Sequence, residues 1–424
     1  MTALPCASMA AGCRINEGDV VKITHQRGRI RALVAVTACS LALVACVPPE
    51  PPVKPPAKDG GIDPDMAPRA NEAAYKALGP FKVGVTTVTL EAGRQAEVWY
   101  PASDAGVVGL TPETYFIRDF ISANLDRLLA PGVNPPFETI AFRGVTPEPG
   151  TARPLVLFSH GSQGYRLQST KLTTHLASWG FVVISPDYFE RGLQYLLGEP
   201  LAPTRTSAEV TQQAVNAAIG LNAIGPLAGS IDTSKLFPIG HSAGGSQSTQ
   251  LAGIRTDVQS WIAMAAGVNL TPTAFNPMPT VPVGLADTNK TVMWITGAND
   301  GVVQLPGVVN AFEYSAGERK LVVLPGVGHN NAFTDLCELG RDQGGLIGLA
   351  QSGGLVLPEN LTALATDGCP SPPNFRGVDA WPVAHHFVTA ELRYRSGLDV
   401  QPVGLGVGVA SQFGPVVPQY LHNE

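Results

Sequence analysis

Six short and almost wholly apolar segments constrain the fold of this chain more than any other feature of its sequence. Segments with helical spacing follow several of them, including Lys171–Gly180, Ser207–Ile224 with Ser207 as the expected N-cap, and Ala380–Arg395. Uninterrupted apolar runs are typical of strands buried on both faces, and helical crossovers between parallel strands produce such burial. The sequence therefore predicts an α/β fold with a mostly parallel central sheet and helices on both faces. The six segments are Arg153–Gly161, Phe181–Asp187, Lys235–His241, Gln259–Ala266, Thr291–Gly297 and Arg319–Gly326.

An antiparallel edge is expected to precede this sheet. Phe81–Leu90 and Ala96–Pro101 are rich in β-branched and apolar residues, and the five residues between them suit a hairpin connection. Phe116–Leu129 has apolar residues at helical spacing, which predicts a helix within an insertion.

The first 66 residues differ in character from the rest of the chain. His25–Arg31 is basic, and Ala32–Ala45 is an apolar stretch of about 14 residues, shorter than the roughly 20 that span a bilayer. This order is typical of an export signal. Leu43–Cys46 resembles the bacterial lipobox, in which the cysteine is lipidated; an ordinary secretory signal or a short anchor helix is the alternative. Val47–Asp65 is rich in proline and then glycine, which favours an extended tether.

These features predict a division into residues 1–45, a signal that is removed; 46–66, the lipidated Cys46 and tether; 67–400, the main domain; and 401–424, a C-terminal tail. The expected location is the cell envelope, with a lipid anchor as the contact with the membrane. The net charge of −6, without a cluster of Lys and Arg beyond the N-terminal region, argues against a nucleic-acid partner.

Cysteine usage agrees with export. Cys6, Cys13 and Cys39 would leave with the signal and Cys46 would carry the lipid, so that Cys337 and Cys369 remain. A single pair in an exported protein suggests one disulfide across a loop of about 30 residues, with two unpaired buried thiols as the alternative.

A serine stands at the turn from the third apolar segment to the next helix. Gly240–Gly244, GHSAG, matches the pattern G-x-S-x-G, and Ser242 is its serine. Between a strand and a helix, this pattern forms a sharp turn that lifts the hydroxyl above the sheet, and small neighbours allow the turn to form. The context indicates that Ser242 is a nucleophile.

A serine nucleophile requires a base and a carboxylate that orients the base. Asp300 follows the apolar run Thr291–Gly297, and His329 follows Arg319–Gly326, which is the chain order expected for this kind of turn. Asp287 is a weaker candidate because it precedes its strand. His385 and His386 are weaker candidates for the base because they lie inside the last predicted helix.

The segment Phe158–Gly164, FSHGSQG, follows the first of the six apolar runs. Backbone N–H groups in such a turn stabilise the oxyanion of a tetrahedral intermediate. We assign this role to the amides of Ser162 and Ala243, the second of which follows the nucleophile. His160 is expected to brace the turn rather than to act chemically.

Together, these motifs resemble the α/β-hydrolase superfamily, and within it the bacterial platelet-activating-factor-acetylhydrolase-like and dienelactone-hydrolase-like serine esterases. The resemblance extends over roughly Phe81–Arg395. It implies a serine carboxylic ester hydrolase without a cofactor or a metal. Dienelactone hydrolases proper have a cysteine where this chain has Ser242, so their substrate is disfavoured. Two long insertions, at Asp104–Gly150 and Thr334–Val378, are expected to shape the acyl pocket.

The sequence therefore predicts that Ser242, His329 and Asp300 hydrolyse short-chain acyl esters, phospholipid-type esters or polyester-type esters. An amidase or peptidase that uses the same three residues, and a non-catalytic envelope lipoprotein, are the alternatives.

Overall fold

The computed structural model describes residues 67–127, 129–132, 134–199, 203–268, 282–357 and 359–423. These residues belong to one unit, Pro55–Glu424. The predicted signal, the lipidated Cys46 and the tether lie outside the described residues and stay predictions. None of the described helices is both long enough and apolar enough to cross a bilayer.

A ten-stranded sheet organises the molecule, in the order β12-β11-β10-β9-β8-β6-β7-β2-β1-β5. The six strands from β11 to β7 are parallel to one another. β1 and β2 form the expected antiparallel pair, and β2 continues antiparallel to β7. The predicted fold class is therefore confirmed. The strands are β1 (Lys82–Thr89), β2 (Gln95–Ala102), β3 (Thr114–Phe116), β4 (Pro136–Glu138), β5 (Ala141–Arg143), β6 (Arg153–Ser159), β7 (Val182–Pro186), β8 (Ile231–His241), β9 (Ser260–Met264), β10 (Thr291–Gly297), β11 (Arg319–Leu324) and β12 (Gln419–Asn423), with β3 and β4 as a separate pair.

Helices cover both faces of the sheet because consecutive strand residues point to opposite sides. The helices are α1 (Ala67–Ala70), α2 (Ala123–Asp126), α3 (Thr170–Ser178), α4 (Leu193–Leu196), α5 (Ser207–Ala223), α6 (Ala243–Ile254), α7 (Leu305–Tyr314), α8 (Gly345–Ser352), α9 (Glu359–Thr366) and α10 (Gly377–Ser396). In β6, Val156 and Phe158 pack in the apolar cluster that contains residues of α3 and α10, whereas Leu155 and Leu157 pack in the cluster that contains residues of α5, α6 and α7.

The helix predicted over Phe116–Leu129 is wrong. β3 ends at Phe116, a 3-10 turn follows over Ile117–Phe120, and only α2 is helical. The apolar residues of this segment do not form one helix face. Phe120 packs on the ring of Tyr165, while Ile117 lines a cavity described below.

Two further details differ from expectation. Thr206 rather than Ser207 is the N-cap of α5: its Oγ1 accepts from Glu209 N at 3.2 Å, and Glu209 Oε2 accepts from Thr206 N at 2.7 Å. The boundary at residue 400 does not mark a tail either. β12 pairs with β11 at the sheet edge, and Val403 and Phe413 are buried in the same core as α10.

Candidate active site

Ser242 occupies the sharp turn between β8 and α6. Its backbone has φ +56° and ψ −121°, a conformation that non-glycine residues rarely adopt. The amide of Ser242 donates to Met264 O at 2.8 Å. A Cβ atom on Gly240 would lie 2.3 Å from the carbonyl of Gly244, and one on Gly244 would lie 1.9 Å from the carbonyl oxygen of Ser159. The glycines of the GHSAG motif thus let β6, β8 and α6 meet closely enough to form the turn.

The structure brings Asp300 and His329 together at the carboxyl ends of β10 and β11. His329 Nδ1 donates to Asp300 Oδ2 at 2.9 Å, and both side chains are buried. The other carboxylate oxygen of Asp300 accepts from Val302 N at 2.9 Å and Val303 N at 2.7 Å, which fixes the carboxylate. With its proton on Nδ1, the ring carries a lone pair on Nε2. This Nε2 is buried and bonds to no described residue, Ser242 included.

His241, which precedes the nucleophile, holds the loop of His329 in place. Its Nε2 donates to His329 O at 2.8 Å, and its Nδ1 accepts from Gln168 Nε2 at 3.2 Å. Burial and the neighbouring His329 hold the pKa of His241 well below its usual range, so this ring stays neutral. In the sequence, His241 is only a variable residue of G-x-S-x-G, and no pattern indicates a role for Gln168, because neither contact is local in sequence.

The turn after β6 is built as a rigid loop. His160 Nδ1 donates to Gly161 O at 2.8 Å and its Nε2 accepts from Tyr188 N at 2.9 Å. Burial, together with the charge of Arg191, lowers the pKa of His160 to about 3, so it is a neutral brace at physiological pH. Gln163 has φ +64°, and its backbone amide donates to Arg191 O. Ser162, between these fixed residues, lines the same cavity as Ser242 and His329.

Ala243 is the first residue of α6, so its amide has no acceptor within the helix. The helix N-terminus also carries a partial positive charge, which favours an anion beside Ser242. Ala243 thus directly follows the serine, while Ser162, whose amide is also predicted to bind the oxyanion, lines the same cavity from a separate segment.

A cavity of about 1020 Å³, its open mouth included, lies over these residues. Both insertions line it, and so does the segment of α4, which sequence reasoning did not assign to the site. Its wall is dominated by leucine, and the leucine-rich composition of Leu336–Leu364 is a sequence signal that could have indicated an apolar wall. The apolar residues of the wall are Ile117, Ile121, Leu129, Leu193, Leu196, Leu197, Leu336, Leu346, Ile347, Leu349, Ala350, Leu355, Leu357, Leu361, Leu364 and Ala365.

The weaker candidates have structural partners elsewhere. Asp287 Oδ1 accepts from Asn289 N in the turn before β10. His386 in α10 accepts from Tyr75 N at 3.1 Å and donates to Gly404 O at 3.0 Å, and the ring of His385 lies 4.8 Å from that of His175. Across the described ranges, no group of three or more His, Cys, Asp or Glu side chains is arranged to hold a metal ion.

The expected disulfide between Cys337 and Cys369 is present. It joins the segment after His329 to the segment after α9, within the second insertion. Cys46 lies outside the described residues.

Part of the chain matches a known protein family, and the chain is also similar to solved structures. The family model described as chlorophyllase matches residues 135–276, about a third of the chain, which includes Ser162 and Ser242. No curated protein matches the chain. Among solved structures, the chain is similar to a ferulic acid esterase from Streptomyces cinnamoneus, with 21% sequence identity and a TM-score of 0.48, over 75% of this chain and 91% of that one.

Proposed function

We propose that the protein is a serine carboxylic ester hydrolase that acts through an acyl-enzyme. The observation that carries this proposal is the buried Asp300–His329 pair, since His329 lines the same cavity as Ser242 and its Nε2 bonds to no described residue. The match of residues 135–276 to the chlorophyllase family supports ester hydrolysis. The finer resemblance to platelet-activating-factor-acetylhydrolase-like enzymes stays a prediction.

In the proposed mechanism, Ser242 Oγ attacks the ester carbonyl carbon and its proton passes to His329 Nε2. Asp300 stabilises the imidazolium and holds the ring in place. The carbonyl oxygen becomes an oxyanion that accepts hydrogen bonds from the amides of Ser162 and Ala243. As the C–O bond breaks, the alcohol takes the proton from His329 Nε2. Water then attacks the acyl-enzyme by the same route and releases the acid and the free serine.

The cavity wall favours an ester with a large apolar group on one side of the scissile bond. Leucine and isoleucine side chains form most of the wall, and each buried CH₂ of a substrate contributes about 0.8 kcal/mol. An acetyl ester would leave most of this surface unused. Among the substrate classes expected from the sequence, this supports esters with longer acyl or alcohol groups over short-chain ones.

The test is hydrolysis of p-nitrophenyl esters from acetate to palmitate by the wild-type protein and by Ser242→Ala. We expect wild-type turnover, higher kcat/KM for the longer esters, and a loss of at least about 10³-fold in the variant. Labelling with a fluorophosphonate gives a readout that does not depend on the substrate. A folded wild-type protein with neither turnover nor an adduct on Ser242 would overturn the proposal.

A further inference from the structure

Asp367, just after the last residue of α9, bonds to both loops that carry the acid and the base. Its Oδ1 accepts from His329 N at 2.6 Å, and its Oδ2 accepts from Gly301 N, the residue after Asp300, at 3.1 Å. Its backbone carbonyl accepts from both the amide and the side chain of Asn330, each at 3.1 Å. One residue of the second insertion therefore ties the loop after β10 to the loop after β11.

Glycine permits this contact on every side. A Cβ atom on Gly301 would lie 2.6 Å from Asp367 Oδ2, and one on Gly328 would lie 2.6 Å from Asp367 Oδ1. Gly368 has φ +85°, and a Cβ there would lie 2.5 Å from Asn331 Oδ1. The absence of a Cβ atom at Gly301 and Gly328 therefore leaves room for the carboxylate of Asp367 beside both loops, and the positive φ of Gly368 favours glycine there.

The local preference of the helix does not explain this aspartate. A carboxylate at a helix C-terminus faces the negative end of the helix dipole, which is unfavourable. Asp367 is at such a position, since its amide still donates to Ala363 O at 3.0 Å. Charge-assisted hydrogen bonds to backbone amides are strong enough to offset that cost, and here they come from His329 and Gly301.

The Cys337–Cys369 disulfide anchors the segment that carries Asp367. Cys369 follows Asp367 by two residues and its amide donates to Thr366 O at 2.9 Å. Its partner, Cys337, is buried in the segment that continues from His329. The disulfide therefore closes the same loop that brings Asp367 back onto His329.

We infer that Asp367 is a positioning residue for the Asp300–His329 pair, and that the Cys337–Cys369 disulfide keeps it in place. The inference rests on the proposed function. Asp367 contacts the backbones of the two loops and not their catalytic side chains. Substitution of Asp367 should therefore leave the cavity able to bind substrate, but the loops that carry Asp300 and His329 should no longer hold these two side chains in the geometry that the reaction needs. Small misplacements of catalytic groups cost up to about 100-fold in rate.

The test compares Asp367→Ala and Asp367→Asn with Asp342→Asn, which alters an exposed aspartate of the same insertion. For Asp367→Ala we expect kcat to fall by about 10- to 100-fold while KM stays within about twofold. Asp367→Asn keeps one acceptor oxygen and should recover part of the rate. Asp342→Asn should match the wild type. The double variant Cys337→Ser/Cys369→Ser should lower kcat in the same direction, by less than Asp367→Ala.

Thermal unfolding of each variant shows whether it is folded, and only folded variants are compared. Unchanged kcat in Asp367→Ala, or a raised KM with unchanged kcat, would overturn the inference. Equal loss in Asp367→Asn and Asp367→Ala, with equal loss of stability, would do the same because it indicates a merely structural role. Fluorophosphonate labelling of the wild type separates this outcome from failure of the proposed function, since it reports on Ser242 alone.

Discussion

At the residue scale, the site depends on backbone segments that approach too closely for side chains. Gly244 is the sharpest case, because a Cβ atom there would lie 1.9 Å from Ser159 O and 2.8 Å from His160 O. Both of these carbonyls belong to rigid backbone at the end of β6 and in the turn that positions Ser162. Because Gly244 has no side chain, the turn that contains Ser162, whose amide is predicted to bind the oxyanion, can lie close to the turn that contains Ser242.

Gly244→Ala should therefore destabilise the protein and lower its activity. Forced overpacking costs typically about 1–3 kcal/mol, and we expect the upper end here because no flexible side chain can move aside. Gly220→Ala is the matched control: Gly220 lies in α5 with no atom within 4 Å of its Cβ position, so the added methyl should stabilise the helix by about 0.5–1 kcal/mol. Urea unfolding of both variants measures the difference, and equal free energies of unfolding would contradict the close contact.

At the scale of elements, the second insertion also caps a helix of the main fold. Asp335 accepts from Lys171 N in the first turn of α3, at 3.3 Å from Oδ1 and 3.1 Å from Oδ2, while its own amide donates to Gln168 O at 2.7 Å. Burial raises the pKa of Asp335 from 3.8 to about 7, although Lys171 and its amide act in the opposite direction. The helix cap is therefore a carboxyl group that ionises near neutral pH.

This shift makes stability depend on pH in a defined direction. Because the pKa is higher in the folded state than in the unfolded state, the contribution of Asp335 is complete below about pH 4 and is lost as the pH rises through about 7. Asp335→Asn removes the titration but keeps an acceptor for Lys171 N, so it should gain stability relative to the wild type between pH 4 and pH 8. Denaturation at pH 4.5, 6 and 8 measures this. A stability difference that does not vary with pH, as expected for the exposed control Asp342→Asn, would show that Asp335 does not titrate in this range.

The elements also show what the sequence can and cannot predict. Buried parallel strands leave uninterrupted apolar runs, so β6 to β11 and the turn at Ser242 were predictable. The spacing of Phe116–Leu129 was misleading because its apolar residues face two different surfaces. β12 was missed because an edge strand exposes most of its residues. The role of Asp367 depends on a contact across 38 residues, which no local pattern records.

At the scale of the whole molecule, three separate segments converge to form the cavity. Ile117–Leu129 comes from the first insertion, Leu193–Leu197 from the connection after β7, and Leu336–Ala365 from the second insertion. The sheet supplies Ser242, Asp300 and His329, whereas these segments supply the apolar wall. In the proposed mechanism the reacting groups thus lie at the end of the sheet, while the side chains of the wall contact the substrate. Substitutions in the wall that leave Asp367 intact should therefore change the choice of substrate without changing the chemistry.

Leu361→Trp tests this separation. Leu361 in α9 lines the cavity, and an indole there would fill space that we propose is occupied by the apolar group of the substrate. We expect kcat/KM for p-nitrophenyl octanoate and longer esters to fall by about tenfold or more, because the apolar contact of a single methylene group is worth about 1–3 kcal/mol. Hydrolysis of the acetate should stay within about twofold, since the small acyl group does not reach the filled space.

Leu110→Trp, at a position that is 53% exposed and outside the cavity wall, is the matched control and should leave the whole series unchanged. A uniform loss across all chain lengths in Leu361→Trp would instead place α9 in the catalytic geometry alone, and an unchanged series would show that substrates bind elsewhere.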